Sequence, residues 1–209
     1  MLGLKVDWVP PASGKLGTQI IAEALETAAR RGGGKTFFSA GNVKDAEAFS
    51  ATTVESFYSA PYLAHATMEP MNCTACVAEG KVEIWAPTQV PQLARAVAAK
   101  VAGVEVEQVT LHQTLLGGGF GRRLEVDSVA QAVRIAMATP GKPVQLIWSR
   151  EEDTQHDFYR PMNVALLRAG LDKNKAVISL RIQSAGQAIG PHFMHRHFPV
   201  MSDSDSPDK

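Results

Sequence analysis

Four glycines crowd five positions in Gly117-Gly118-Gly119-Phe120-Gly121, between the apolar run VTLHQTLL and a segment with helical periodicity from Glu125. Glycine inside a structured element costs about 0.5–1 kcal/mol relative to alanine, so such a cluster needs a compensating requirement. Two are available: a turn with φ above zero, or a main chain that a bound group must approach closely. A strand–glycine–helix junction supplies both, and it aims backbone N–H groups and the positive helix end at an anion or a metal-bound oxygen. Spacing excludes two familiar loops. A phosphate loop needs G-x-x-x-x-G-K-[ST], but Gly121 is followed by Arg122 and Arg123. The dinucleotide fingerprint G-x-G-x-x-G, counted from Gly117, meets Arg122 where its last glycine belongs. A β-bulge with a tight turn stays open as the other reading.

Local patterns place this junction in a mixed architecture. A strand-like run at 2–9 stops at Pro10-Pro11, and a helix is predicted from Thr18, its cap, to Gly32. A small helix is expected near 43–49, and a hairpin turning at Glu79-Gly80. Pro91 opens a helix with Leu93, Ala94, Val97 and Val101 on one face, and Gly103 ends it. A second helix buries Val126, Val129, Ala130, Val133, Ala136 and Met137. Residues 144–149 read as a strand, and 163–186 as a hairpin turning at Asp172–Lys175. Strands and helices mix without strict alternation, which predicts an α+β fold, a mixed sheet with packed helices.

Charge narrows the partners. Lysine plus arginine equals aspartate plus glutamate, at 21 each among 209 residues, so nothing marks a surface for nucleic acid or anionic membrane. No apolar run is long enough to span a bilayer, and no signal peptide opens the chain, so no membrane insertion is expected. The compartment, cytoplasmic or periplasmic, stays open. Cys73 and Cys76 spell C-x-x-C, but on a strand positions i and i+3 face oppositely, which favours structural thiols over a metal site.

Four runs taken together carry a resemblance: YLAHATMEPMNCTA (62–75), VEIWAPTQVPQLAR (82–95), LLGGGFGRR (115–123) and WSREEDTQHDFYRP (148–161). With them, the chain resembles the molybdopterin-binding large subunit of the xanthine dehydrogenase/aldehyde oxidase family, in its isoquinoline 1-oxidoreductase beta-subunit and bacterial aldehyde dehydrogenase branch. The resemblance implies the tail of a hammerhead-like domain and a connection at 1–50 and the first molybdopterin-binding half-domain at 51–190; residues 191–209 do not resemble the family and are expected to form a flexible tail. It also implies a molybdenum–molybdopterin cofactor in its cytosine dinucleotide form, and iron–sulfur clusters in a partner chain. The reaction implied is oxidation of an aldehyde or N-heterocycle with water as oxygen source.

Residue roles follow from the same likeness. Gln89 is expected to hydrogen-bond an oxygen ligand of molybdenum, with helix capping as its plainer role. Phe120 and Gly121 match a pair whose backbone lies against the metal and pterin, with Gly118 and Gly119 shaping the loop. Gly121 would be glycine so that its bare amide can reach the cofactor. Arg122 and Arg123 would face a pyrophosphate or acidic substrate, or else be solvated. Glu69 matches an acidic position near the pocket, and His65 is expected to be structural. Leu124 stands where purine-oxidising members carry glutamate, which favours an apolar substrate.

No metal ligand is assigned in this chain, and no general base. The family's catalytic glutamate lies in a downstream half, so Glu125 and Glu151 carry no such role. The acids of SREED read as a solvated run, and His192, His195 and His197 as at most an adventitious metal site. Two alternatives stand beside the hydroxylase reading. One is an inactive remnant that binds partners or forms a homo-oligomer over an exposed seam. The other is an unrelated enzyme with a phosphate ligand at the glycines.

Overall fold

A computed structural model describes residues 16–197; the run at 2–9 and the segment from 198 onward, with the side chain of His197, lie outside the described residues. In chain order the elements are α1 (Thr18–Arg31), α2 (Val43–Ala48), β1 (Thr52–Ala60), β2 (Asn72–Ala78), β3 (Lys81–Ala86), α3 (Pro91–Ala102), β4 (Val109–Gln113), α4 (Asp127–Ala136), β5 (Val144–Ile147), α5 (Arg150–Gln155), β6 (Asn163–Leu171), β7 (Val177–Gly186) and α6 (Ile189–His197). The fold is α+β. It forms two compact units, one of residues up to Tyr62 together with those from Pro161, the other Leu63–Arg160. The first unit is discontinuous in sequence because β1 pairs with the distant β6, Thr52 opposite Leu171 and Ala60 opposite Asn163.

The first unit is a three-stranded antiparallel sheet, β1-β6-β7, carrying α1 and α2. Gly17, not Thr18, is the N-cap of α1, and no side chain caps it. Gly32 ends the helix with φ 67°, its N–H donating to the Ala28 carbonyl at 3.2 Å. Arg30 lies 5.1 Å from the Phe57 ring centroid, and Arg181 pairs with Glu47 at 2.7 Å, tying the helices to the sheet. In the β6–β7 turn, Asp172 Oδ1 accepts from the N–H groups of Asn174 and Ala176, an aspartate turn that explains the hairpin.

The second unit holds the four-stranded mixed sheet β4-β3-β2-β5 with α3 and α4 packed on it. Glu79 and Gly80 both have positive φ, 50° and 73°, the backbone a two-residue hairpin requires. The parallel partner β4 follows β3 through α3, which Gly103 closes in the left-handed conformation. The buried stripe of α3 is Ala94, Ala98 and Ala99; the expected Leu93, Val97 and Val101 are only partly buried. Small side chains let α3 settle closely onto α4 and the sheet, leaving the larger ones at the margin. In α4, Val129, Ala132, Val133 and Ala136 are buried, while Ala130 and Met137 are half-buried.

Cys73 is fully buried and Cys76 half-buried, both free, as opposite strand faces dictate. Burial pushes the Cys73 thiol up to about 12. No described helix is long and apolar enough to cross a membrane. His192 and His195 sit on the helix α6, in the segment expected to be a flexible tail, and among the described residues no three His, Cys, Asp or Glu side chains gather as a metal site.

Candidate functional site

The glycine loop follows β4 and enters α4 through one 3-10 turn, Arg122–Leu124. Its glycines are there for two different reasons. Gly118 and Gly121 each have φ 101°, a left-handed backbone that side chains disfavour. Gly117 and Gly119 make room: a Cβ at Gly117 would stand 2.4 Å from Glu69 Cβ, and one at Gly119 2.8 Å from Gln89 Oε1. The cluster thus lets two distant side chains lie flat against the main chain. Gly121 needs no such room within the protein. A Cβ there would meet nothing closer than 3.8 Å, and the Gly121 N–H already donates to Gln89 Oε1 at 3.2 Å.

The loop faces its hydrogen-bonding groups unevenly. Four of its five carbonyls are taken inside the protein: Gly117 by the Glu69 amide, Gly118 by Arg123 Nε at 2.7 Å, Gly119 by the Arg122 amide and Gly121 by the Leu124 amide, while that of Phe120 has no protein donor among the described residues. The Gly117 N–H donates to Glu69 Oε2 at 2.9 Å. The N–H groups of Gly118, Gly119 and Phe120, three in succession, have no protein acceptor among the described residues. Backbone donors seldom stay unpaired unless water or a ligand takes them. The last of them, Phe120, holds φ 54° and is 78% exposed. A left-handed non-glycine residue costs about 1–3 kcal/mol, and an exposed ring recovers little of it by burial.

Gln89 sits in the turn from β3 to α3, its own N–H donating to the Arg123 carbonyl at 3.0 Å. The cap of α3 is Val90, with no side-chain cap bond, so Gln89 is not capping the helix. With Oε1 accepting from Gly121, its Nε2 amide end has no protein acceptor among the described residues.

Both arginines turn inward and neither is solvated; the protein's own groups take their donors. Arg123, with a fully buried side chain, donates to the Gly118 carbonyl, to the Glu69 carbonyl at 2.8 Å and to Glu69 Oε2 at 2.9 Å, with Pro87 O at 3.4 Å. Burial lowers its pKa, and the Glu69 carboxylate opposes that shift. Arg122 forms a bidentate pair with Asp127 at 3.1 and 2.9 Å. Its guanidinium carbon lies 5.4 Å from the Trp148 ring centroid and 5.3 Å from that of Phe158. Its Nε is 3.0 Å from Asp157 Oδ1, close enough for ionic attraction though not aligned as a hydrogen bond. Burying a guanidinium requires such saturation, and here the protein's own carboxylates and rings provide it.

Glu69 is therefore a clamp on the loop: Oε2 binds Gly117 and Arg123, and Oε1 accepts from Asn72 at 2.9 Å. Asp153, expected to be solvated, is buried; it pairs with Arg150 at 2.7 Å and accepts from the Met71 N–H. Arg150 in turn donates to the carbonyls of Thr67 and Met68, fixing the turn before Glu69. Glu151 and Glu152 are exposed, and Leu124 is half-buried. His65 binds Asp157 through Nδ1 at 2.9 Å, and Asp157 also accepts the His65 N–H. Sequence reasoning did not single out Asp157, Asp127, Trp148 or Phe158. A cavity of about 370 Å³ lined by Asp127, Gln131, Trp148, Glu152, His156 and Phe158 contains no loop residue. Its polar groups pair with protein: Asp127 with Arg122, Glu152 with His156, Gln131 with Trp148.

Residues 29–196 match the molybdopterin cofactor-binding domain family. The chain is 32% identical to the membrane-bound aldehyde dehydrogenase (pyrroloquinoline-quinone) of Gluconacetobacter polyoxogenes, covering 87% of this chain and 24% of that protein. It is 33% identical to isoquinoline 1-oxidoreductase subunit beta of Brevundimonas diminuta, covering 73% and 20%. The aldehyde oxidoreductase structure from Desulfovibrio gigas is similar with TM-score 0.52 and 25% identity, over 66% of this chain and 15% of that one. The chain thus spans a quarter or less of these relatives. It belongs to the molybdopterin cofactor-binding domain family, the domain of molybdenum hydroxylases of the xanthine dehydrogenase and aldehyde oxidase type.

Proposed function

We propose that this chain forms one wall of the molybdopterin site in a molybdenum hydroxylase that oxidises aldehydes or N-heterocycles with water as oxygen source. The observation that carries this reading is the donor-rich face of the loop: three successive unpaired amides at 118–120, beside a Gln89 whose acceptor end is tied down and whose donor end is free. Neutral N–H donors suit an oxygen-rich, anionic group, and no side chain intervenes at 118 or 119. The residues present therefore fit the cofactor.

The bound cofactor would supply the two-electron redox centre. This chain's part is to bind and orient. Gly118, Gly119 and Phe120 donate from the main chain, and Gln89 donates from its amide. Arg123 and Glu69 hold the loop from beneath, and Arg122 fastens the start of α4 through Asp127. The carboxylates of Glu69, Asp127 and Asp157 each face an arginine, so none of the three is offered as a proton acceptor. Leu124, where purine-oxidising relatives carry glutamate, supports an apolar substrate. The relative isoquinoline 1-oxidoreductase subunit beta is one chain of several by name, which supports a multi-chain assembly here; the family resemblance adds iron–sulfur clusters on a partner and the cytosine dinucleotide form of the cofactor.

Metal and quinone content of the chain purified with co-expressed partner chains tests the reading. About one molybdenum per chain, with no pyrroloquinoline quinone, is expected. No molybdenum in any assembly, from a folded chain, would instead make it a binding domain without catalysis. In the loaded assembly, Gln89→Ala is expected to keep the fold and lower turnover; unchanged turnover would remove Gln89 from the site.

A further inference from the structure

Two side chains from separate segments flank Gly121 in the same manner. Gln89 has its oxygen fixed by the Gly121 N–H. His65 has Nδ1 fixed by Asp157 at 2.9 and 3.0 Å, and its other nitrogen, Nε2, is the nearest heavy atom to a Cβ built on Gly121, at 3.8 Å. Each is anchored at one end, and neither Gln89 Nε2 nor His65 Nε2 has a protein partner among the described residues. The anchor of His65 is rigid. The Asp157 side chain is 1% exposed, also binds the His65 main-chain N–H, and lies against Arg122, which Asp127 holds in turn. The imidazole is 14% exposed, so Nε2 is not sealed in.

Asp157 sets the tautomer. A carboxylate at Nδ1 accepts a proton's hydrogen bond, so the neutral ring carries its hydrogen on Nδ1 and presents a lone pair at Nε2. Glu69, Arg122, Arg123, Asp127, Arg150, Asp153 and Asp157, the charged groups that the hydrogen bonds and ion pairs of this segment bring together, each sit in an ion pair within the chain. His65 Nε2 is left as a side-chain acceptor beside the Gly121 turn. We propose that His65, positioned by Asp157, accepts a hydrogen bond from an O–H group, water or hydroxyl, bound against Gly121. This rests on the reading of the loop as a cofactor wall. It makes His65 a positioning residue for that oxygen, not the structural histidine its sequence context implied.

Two measurements test it. In the metal-free 209-residue chain, nitrogen-15 NMR of the neutral His65 ring is expected to show the hydrogen on Nδ1 and none on Nε2, and Asp157→Asn to disturb that preference; the opposite tautomer in the wild-type chain overturns the proposal. In the molybdenum-loaded assembly, His65→Asn keeps a donor for Asp157 but removes the outward nitrogen, and His65→Gln returns a polar atom near the Nε2 position. His65→Asn is expected to load molybdenum normally, to change the solvent-exchangeable proton splitting of the molybdenum EPR signal, and to lower turnover roughly ten- to a hundredfold, the range for groups that orient a metal's ligands. His65→Gln is expected to recover part of both. A His65→Asn protein that loads molybdenum with unaltered splitting and turnover overturns the role of His65 alone. A wild-type assembly without molybdenum overturns the cofactor reading and this proposal together.

Discussion

Replacing Arg123 with methionine tests how the loop is held. The arginine is fully buried and makes four contacts at 2.7–3.4 Å, to the carbonyls of Gly118, Glu69 and Pro87 and to Glu69 Oε2. Methionine fills comparable space but leaves three carbonyls and one carboxylate oxygen without that donor. Removing one partner of a buried pair costs about 3–5 kcal/mol, whereas replacing both with apolar groups is often neutral. Glu69 is 34% exposed and retains Asn72 and the Gly117 N–H, so water can reclaim part of the loss. The expected destabilisation is therefore reduced to about 2–4 kcal/mol. Denaturant unfolding followed by tryptophan fluorescence measures it, since Trp85 and Trp148 lie in the same compact unit. The double variant Arg123→Met with Glu69→Met should lose less than the sum of the two single changes. A single Arg123→Met within about 0.5 kcal/mol of wild type, the scale of an ordinary surface change, would refute the claim that this side chain secures the loop.

Three further outcomes follow from the glycines and the thiols. Gly117→Ala should destabilise more than Gly119→Ala in the same unfolding assay. Its Cβ would meet Glu69 Cβ at 2.4 Å, near the main chain, whereas at Gly119 it meets the movable end of Gln89 at 2.8 Å. Gly121→Ala should cost about 1–3 kcal/mol from backbone strain alone, since φ is 101° and space is open; a neutral effect would show that the turn tolerates a side chain. Iodoacetamide at neutral pH should alkylate Cys76 and spare Cys73, whose buried thiol stays protonated up to about pH 12; equal labelling in the native chain would contradict that burial.

Local signals made much of the fold legible. Pro91 and Gly103 bracket α3, and Glu79-Gly80 marks its hairpin, because each residue acts on its own backbone. The polar segment of α5 has no apolar period, yet the Ser149 hydroxyl accepting from the Glu152 N–H is a capping signal that a search for S-x-x-E finds. The pairing of β1 with β6 and the bond between His65 and Asp157, 92 positions apart, depend on chain closure that no local pattern encodes. Arg122 and Arg123 misled for a related reason. Their charge argues for solvent or a ligand, and only the folded chain reveals the carboxylates and carbonyls that replace both. The likeness singled out Gln89, but which end of its amide is free follows from the Gly121 N–H alone.

The most direct test of the donor wall is hydrogen–deuterium exchange at the amides of Gly118, Gly119 and Phe120. It should compare the assembled protein from molybdate-replete cells with the same assembly lacking cofactor. These three amides are expected to exchange freely without the cofactor and to become strongly protected with it, while the Arg122 amide, bonded to Gly119 in either state, changes little. Equal exchange at 118–120 in the loaded and empty assemblies would contradict the account.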